Sequence, residues 1–246
     1  MMVAIAIVLG LVDLLLWSGI LYKQFFKRFY DIVLSGVAII VLSPLLLVLT
    51  IVGAIKMKGN PFFVQPRPGK DERIFNLIKF RSMTCEKDKD GNYLPDDVRL
   101  TKYGRILRST SLDELPELFN IFKGDMSIVG PRPQLVRDMV FMTSEQRKRH
   151  SVLPGLTGLA QVNGRNEISW EKKLDLDLQY IRNVSLVNDV KILSNTIAKV
   201  FNREGISEDG FDTAEDFGDY LLRRRKIDER FYFEKQKEAR RLLDNA

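Results

Sequence analysis

Two long apolar stretches open the chain, and they predict different structures. Residues 2–21 carry one charge, Asp13, and about 20 apolar residues are enough for one helix to cross a bilayer. No basic segment precedes this stretch and no clear small-residue cleavage site follows it, which favours a retained helix over a removable signal peptide. Lys23, Lys27 and Arg28 follow it, so its C-terminal end is expected in the cytoplasm.

The second apolar stretch, residues 32–55, has Ser43 and Pro44 at its centre. A proline inside a helix costs roughly 3 kcal/mol unless the chain bends there. Because basic residues flank both ends, the positive-inside tendency predicts that both ends lie in the cytoplasm, which requires a re-entrant helix. The alternative is a kinked transmembrane helix, since a neighbouring hydroxyl can satisfy the carbonyl that proline leaves free. The residue pattern leaves both structures open.

After Gly59 the pattern becomes that of a soluble domain. Two short apolar runs predict strands at residues 62–65 and 74–80, joined at a turn in which Gly69 supplies a positive φ. Thr143 and Gln146 predict a capping box, and Gly205 is a candidate C-cap. Apolar residues at helical spacing predict amphipathic helices over residues 170–182 and 187–201, and shorter helices over 115–122 and 144–149. Together these elements predict a predominantly helical α+β fold.

Composition narrows the function classes without choosing one. The 246 residues, 45% of them hydrophobic, predict one catalytic domain plus membrane segments. A net charge of +6 predicts an anionic partner, and nucleic acid, a membrane surface and a phosphorylated substrate all fit. Cys85 and His150 are the single residues of their types, which excludes a disulfide framework and a multi-histidine metal site. His150 lies among basic residues and is expected to be solvated. Neither a GxxxxGKS/T loop nor a GxGxxG turn occurs, so an ordinary nucleotide hydrolase or dehydrogenase is disfavoured.

Asp113 and Glu114 precede a predicted helix and are the first candidate catalytic residues. A carboxylate at a helix start can hold Mg²⁺ or attack phosphorus, because free backbone amides there also attract phosphate. The alternative is structural, since acidic residues favour helix starts and Pro116 fits the first turn, which would make Asp113 an N-cap.

Three further groups of polar residues could bind phosphate or a sugar nucleotide. Arg105 and Arg108 are three residues apart and could direct their guanidinium groups towards one site, although a solvated basic surface explains them equally well. Arg132 lies between Pro131 and Pro133, which predict a stiff turn that would orient its side chain towards a ligand. The alternative is that this turn is a loop for interaction with another protein. Residues 154–166 are glycine-rich, and they either allow a close approach of backbone to a ligand or form a long structural loop.

Six segments of the chain occur in a characteristic order. They are KRFYD at 27–31, the Ser43-Pro44 pair, KFRSM at 79–83, LRSTSLDELPELFN at 107–120, KGDMSIVGPRP at 123–133 and PGLTGLAQVNGRN at 154–166. In this order and spacing they resemble the small monotopic phosphoglycosyl transferases of the bacterial sugar transferase superfamily, and most closely the enzyme that initiates bacterial protein N-glycosylation. The likeness covers roughly residues 25–207.

The resemblance implies a membrane helix re-entrant at Ser43 and Pro44, amphipathic helices at the cytoplasmic interface, and a small α/β catalytic domain. It further implies that Asp113 is the nucleophile and depends on Mg²⁺, with Glu114 beside it. Arg108 and Arg132 would hold phosphate. Lys79 and Arg165 are candidates for the nucleotide-sugar end.

By this resemblance the chain divides into an extra apolar helix at residues 1–22, a re-entrant helix at 23–58, a catalytic domain at 59–217 and a charged C-terminal helix at 218–246. The implied substrates are a UDP-sugar and polyprenyl phosphate, exchanged by ping-pong chemistry through an aspartyl-phosphosugar. The implied location is the bacterial inner membrane, in contact with lipid, with the catalytic domain in the cytoplasm. A membrane scaffold would not require this ordered series of residues, and a nucleic-acid binder would carry a recognition motif that is missing here. The sequence is compatible with a monomer and with a homodimer.

Overall fold

The structure is a computed structural model, and it describes residues 19, 21–164, 168–202 and 215–245. The described chain is mostly helical with two small sheets, which confirms the α+β prediction at that level. Most of the predicted N-terminal helix at residues 1–22 lies outside the described residues, as do Arg165 and Gly205.

A long apolar helix begins the described chain. A π-helical turn, Tyr22–Phe26, leads into α1, Lys27–Lys56. The backbone stays helical through Pro44, and the Ser43 hydroxyl donates to the carbonyl of Ile40 at 2.7 Å. Within the described ranges this is the one helix long and apolar enough to cross a membrane, judged by length and composition. Only 11% of its most apolar window is buried, unlike the core helix of a soluble protein. Re-entry of this helix stays a prediction.

The remaining described elements are short. In chain order they are β1 Phe62–Pro68, β2 Ile74–Phe80, α2 Asp96–Arg99, α3 Lys102–Ser109, α4 Glu117–Lys123, β3 Ser127–Val129, α5 Val136–Met139, α6 Ser144–Arg147, β4 Gly155–Thr157, α7 Leu159–Val162, α8 Trp170–Arg182, α9 Leu186–Asn202, α10 Phe217–Arg223 and α11 Glu229–Asp244. Three turns of 3₁₀-helix lie at Lys70–Glu72, Leu112–Glu114 and Lys148–Ser151.

The β1–β2 hairpin is antiparallel and sets Phe63 opposite Lys79 and Arg67 opposite Phe75. Both strands lie where the apolar runs predicted them, but the predicted glycine turn is wrong. Gly69 has a φ of −98°, and the positive φ values fall at Asp71 and Glu72 instead. Gly69 serves close packing, because a Cβ there would lie 3.1 Å from the Arg73 carbonyl oxygen.

A second, parallel strand pair brings two candidate segments together. β3 pairs with β4, with Ser127 opposite Gly155 and Val129 opposite Thr157. The turn at residues 130–133 therefore begins beside the glycine-rich segment that starts at Pro154. Neither strand exceeds three residues, so no periodic pattern marked them in the sequence.

The core forms where α4 packs against α1 and β2. The side chain of Asn120 on α4 accepts from the backbone N–H of Ile78 at 3.1 Å and donates to the Asn76 carbonyl at 2.8 Å, which fixes β2 against the helix. Leu118 and Ile121 on the same helix are buried against Leu77. This packing places the end of β2 beside the turn that carries Asp113.

A second core joins α5 and α8 to the C-terminal residues. Phe217 and Tyr220 on α10 pack with Met139 and Trp170, and α11 contributes the buried Ala239. The C-terminal residues thus form two helices that pack into the same hydrophobic cluster, whereas the sequence predicted one charged helix. The two amphipathic helices coincide closely with α8 and α9, and the capping box of Thr143 and Gln146 is confirmed.

Candidate active site

Lys79 and Arg132 meet at the carboxylate of Glu114. The Lys79 Nζ lies 2.8 Å and an Arg132 Nη 2.7 Å from the same Glu114 Oε1. β2 supplies the lysine, the Leu112–Glu114 turn supplies the glutamate, and the 130–133 turn supplies the arginine. Burial alone would raise the pKa of Glu114, but the positive charges of Arg132 and Lys79 outweigh it and hold that pKa well below its usual range. Glu114 therefore stays ionised and fixes two cations beside Asp113.

Asp113 lies next to this cluster with its carboxylate unengaged. Ser111 adopts a left-handed conformation (φ 55°), which turns the chain into the 3₁₀ turn before α4 begins. Neither that turn nor α4 has a side-chain cap, so the interpretation of Asp113 as an N-cap is wrong. Among the residues that the structure describes, Asp113 accepts no hydrogen bond and forms no ion pair. Burial, reinforced by the charge of Glu114, raises the pKa of Asp113 to about 6.

Of the two arginines on α3, only Arg108 reaches this site. Its Nε donates to the Ser82 hydroxyl at 3.0 Å, and its charge helps to lower the pKa of Asp113 against the effect of burial. Arg105 is exposed, and within the described chain its guanidinium makes no hydrogen bond or ion pair with the site. The expected convergence of both guanidinium groups on one site is therefore not seen.

Glu117 is a site residue that the sequence reasoning missed. Its carboxylate is 3% exposed and lies 3.0 Å from the Lys79 Nζ. Burial raises the pKa of Glu117 to about 7, although the Lys79 charge opposes the shift. The signal was present, because Glu117 follows Glu114 by three residues and such residues share one face of a helical turn.

The turn that carries Arg132 is held by backbone and buried side-chain contacts. Arg149 donates to the Arg132 carbonyl at 2.6 Å, and Arg149 is itself paired with Asp177 at 2.8 Å. Both side chains of this pair are almost fully buried, at 1% and 3% exposed. Neither Arg149 nor Asp177 was a candidate from the sequence. The prediction that His150 is solvated is wrong, because its side chain is buried next to Arg149. Burial lowers the pKa of His150 to about 4, so it is neutral near pH 7.

The glycines of the 154–158 segment serve chain packing. A Cβ on Gly155 would lie 2.1 Å from the Gly130 nitrogen, and one on Gly158 would lie 2.1 Å from the Gly130 oxygen. These positions require glycine because two backbones cross there, and the 154–166 segment, for which a long loop was one interpretation, instead contains β4 and α7. Arg165, at its far end, lies outside the described residues.

The site residues fit a Mg²⁺ ion that shares its ligands with a substrate. No three His, Cys, Asp or Glu side chains gather into a protein-only metal site in the part of the chain that the structure describes. Mg²⁺ is commonly held by one or two carboxylates together with substrate phosphates. Asp113 offers such a carboxylate, whereas the paired oxygen of Glu114 is occupied by two cations.

Residues 22–203 match the model of a protein family described as bacterial sugar transferase. The uncharacterized sugar transferase EpsL of Bacillus subtilis is 48% identical over 193 residues, which cover 78% of this chain and 95% of EpsL. The UDP-glucose:undecaprenyl-phosphate glucose-1-phosphate transferase of Klebsiella pneumoniae is 43% identical over 186 residues, or 72% of this chain and 40% of that protein. The undecaprenyl-phosphate galactose phosphotransferase of Salmonella typhimurium is 37% identical over 202 residues, or 74% of this chain and 42% of that protein. The chain thus spans nearly all of EpsL and less than half of the two longer relatives.

Proposed function

This chain belongs to the bacterial sugar transferase family, and from that premise we propose that it transfers a sugar 1-phosphate from a UDP-sugar to undecaprenyl phosphate, a polyprenyl phosphate. The products are UMP and a polyprenyl-diphosphate sugar, which begins the assembly of a bacterial glycoconjugate. The observation that carries the proposal is the unpartnered Asp113 carboxylate beside Arg108, Arg132 and Lys79.

The proposed reaction proceeds in two displacements. An Asp113 oxygen attacks the phosphorus that bears the sugar, a carboxyl–phosphate bond forms, and the phosphoanhydride bond breaks to release UMP. An oxygen of the polyprenyl phosphate then attacks the same phosphorus and regenerates the Asp113 carboxylate. Because the pKa of Asp113 is about 6, the carboxylate is largely ionised at neutral pH and needs no general base.

The charged residues around Asp113 have different proposed roles. Arg108 and Arg132 would hold the reacting phosphate, since a guanidinium fork matches phosphate oxygens. Glu114 holds the charged ends of Lys79 and Arg132 in place. Lys79 and Arg165 would contact the nucleotide-sugar end of the donor. Bound Mg²⁺, held by Asp113 and substrate phosphates, would reduce the repulsion between the attacking anion and the anionic phosphate that it attacks.

The contacts of α1 support a re-entrant membrane helix. Near its start, Arg28 donates to the carbonyl of Ile121 at 2.6 Å. Further along, the Tyr103 hydroxyl donates to the carbonyl of Leu49 at 3.0 Å. These positions are about 30 Å apart at 1.5 Å per residue, yet both contact the same soluble domain. A helix that crossed the bilayer would place its ends on opposite sides, so we propose that α1 enters and leaves from the cytoplasmic side of the inner membrane.

A donor screen tests the proposed activity. The full chain in membranes is incubated with undecaprenyl phosphate, Mg²⁺ and a panel of UDP-sugars, and released UMP is measured. We expect release with at least one donor and none from Asp113→Asn. No release with any donor would favour a non-enzymatic membrane scaffold with a basic face.

A further inference from the structure

Arg67 is a half-buried guanidinium next to the turn that carries Arg132. One Nη donates to the Pro133 carbonyl at 3.2 Å, and the other donates to the Gln65 Oε1 at 2.7 Å. Its Nε is buried and has no partner. Across the described ranges, Arg67 forms no ion pair. A cation held in this way is costly unless an anion arrives, because burial removes its water.

The hairpin register places Arg67 on the same face as Lys79. Phe63 lies directly opposite Lys79, and residues 63, 65 and 67 share one face because side chains alternate along a strand. Arg67 is thus about 13 Å along β1 from the position opposite Lys79. Arg132 connects the two positions. Its guanidinium is bonded to Glu114, which is also the partner of Lys79, and the carbonyl of the next residue, Pro133, accepts a hydrogen bond from Arg67.

Lys173 approaches the same turn from α8. It lies one helical turn before Asp177, whose partner Arg149 donates to the Arg132 carbonyl, so Lys173 faces the Arg132 turn. Its ammonium lies over the Trp170 ring, 5.3 Å from the centroid, and it has no ion pair within the described part of the chain. Burial, and then the charge of Arg132, lowers the pKa of Lys173.

Asp138 is the buried carboxylate whose charge acts most strongly on Arg67 and Lys173, and its two oxygens are already engaged. Asp138 accepts the backbone N–H of Leu135 at 3.1 Å and that of Phe217 at 2.9 Å, one on each oxygen. Burial raises the pKa of Asp138 to about 6, so Asp138 is still largely ionised near pH 7, but it is one negative charge beside three cations and both of its oxygens are taken by backbone N–H groups. The positive charge of Arg132 helps to lower the pKa of both Arg67 and Lys173, so three cations lie close together at the 130–133 turn.

We infer that Arg67 and Lys173, with Arg132, bind the phosphate of the departing UMP, the donor phosphate farther from Asp113. The inference rests on the proposed function, which places the sugar-bearing phosphate at Asp113. A diphosphate presents two adjacent anionic groups, and Arg132 can contact both. When the phosphoanhydride bond breaks, one negative charge is added to the UMP phosphate, and fixed cations there stabilise it.

The test is direct binding of UMP and uridine to the full chain in detergent, measured by calorimetry. Lys173→Gln and Arg67→Gln should each raise the Kd for UMP about tenfold or more, because a charged hydrogen bond is lost, and leave the Kd for uridine unchanged. Lys172→Gln, on an exposed neighbouring residue, is the matched control and should leave both constants unchanged.

Two results would overturn the subsite. One is a UMP affinity within twofold of wild type in Lys173→Gln, which removes no hydrogen bond among the described residues and should fold normally. The other is an equal loss of UMP and uridine affinity in both variants, which would assign Arg67 and Lys173 to positioning of the site. Both results can be obtained with a wild-type protein that releases UMP from a donor, so they test the subsite alone. If the proposed function were wrong, the wild-type protein would release no UMP at all.

Discussion

Asp113→Asn is expected to make the protein more stable near neutral pH. Asp113 accepts no hydrogen bond and caps no helix in the described chain, so the only favourable interaction that the substitution removes is the attraction to Lys79, Arg108 and Arg132, which burial and the charge of Glu114 outweigh. It does remove a partly buried negative charge that lies beside Glu114. The carboxylate is thus held in place at a cost to folding, which is common for catalytic groups.

The size and sign of the effect follow from the pKa of Asp113. Folding raises the pKa of Asp113 from 3.8 to about 6. If the carboxylate were fully shielded from water, this difference would destabilise the native state by roughly 3 kcal/mol at high pH. Partial solvent exposure reduces this to about 1–2 kcal/mol. Because the folded pKa is raised, protonated Asp113 favours the native state below about pH 4, and this contribution is lost as the pH rises through 6. The asparagine variant should therefore gain stability at pH 7.5 and little at pH 4.

Thermal unfolding in detergent, with a chelator to remove Mg²⁺, measures this difference. A gain of about 1–2 kcal/mol corresponds to a Tm about 2–8 °C higher for Asp113→Asn at pH 7.5. Asp175→Asn is the matched control, because Asp175 is exposed on α8. A lower Tm for Asp113→Asn at pH 7.5 would refute the reasoning and return Asp113 to a structural role.

Three further predictions concern the scaffold and the membrane helix. Arg132→Lys keeps the charge but loses the guanidinium fork, so turnover should fall by about 10²-fold with an unchanged circular dichroism spectrum; near-normal turnover would make Arg132 a surface charge. Arg149→Met leaves Asp177 buried without its partner and should cost about 3–5 kcal/mol, seen as a lower Tm, and adding Asp177→Leu should restore most of it. Cysteines introduced near Lys27 and Lys58, in a chain with Cys85→Ser, should be labelled only from the cytoplasm, whereas periplasmic labelling near Lys58 would establish a spanning helix.

The sequence predicted the elements whose signals are local. The strands at residues 62–68 and 74–80 follow apolar runs, and α8 follows the spacing of Trp170, Leu174 and Leu178. Such patterns depend on neighbours within one element, so they can be recognised without the tertiary structure.

The site itself depends on contacts that no local pattern encodes. The left-handed Ser111 displaces Asp113 from the helix start, where an N-cap was one of the two interpretations of Asp113 in the sequence. The Arg149–Asp177 pair joins residues far apart in the chain, and its burial became evident only from the packing of α8. Charged residues are normally exposed, so a sequence pattern gives little reason to expect a buried pair.

The central claim is that Asp113 becomes covalently bound to the sugar phosphate. The most direct measurement is intact-protein mass spectrometry after the full chain is incubated with a reactive UDP-sugar and Mg²⁺ but no polyprenyl phosphate. The account predicts the added mass of one sugar phosphate, mapping to Asp113 and missing in Asp113→Asn, together with about one UMP released per enzyme. An active enzyme that carries no adduct and releases UMP only when the acceptor is present would contradict it in favour of direct transfer.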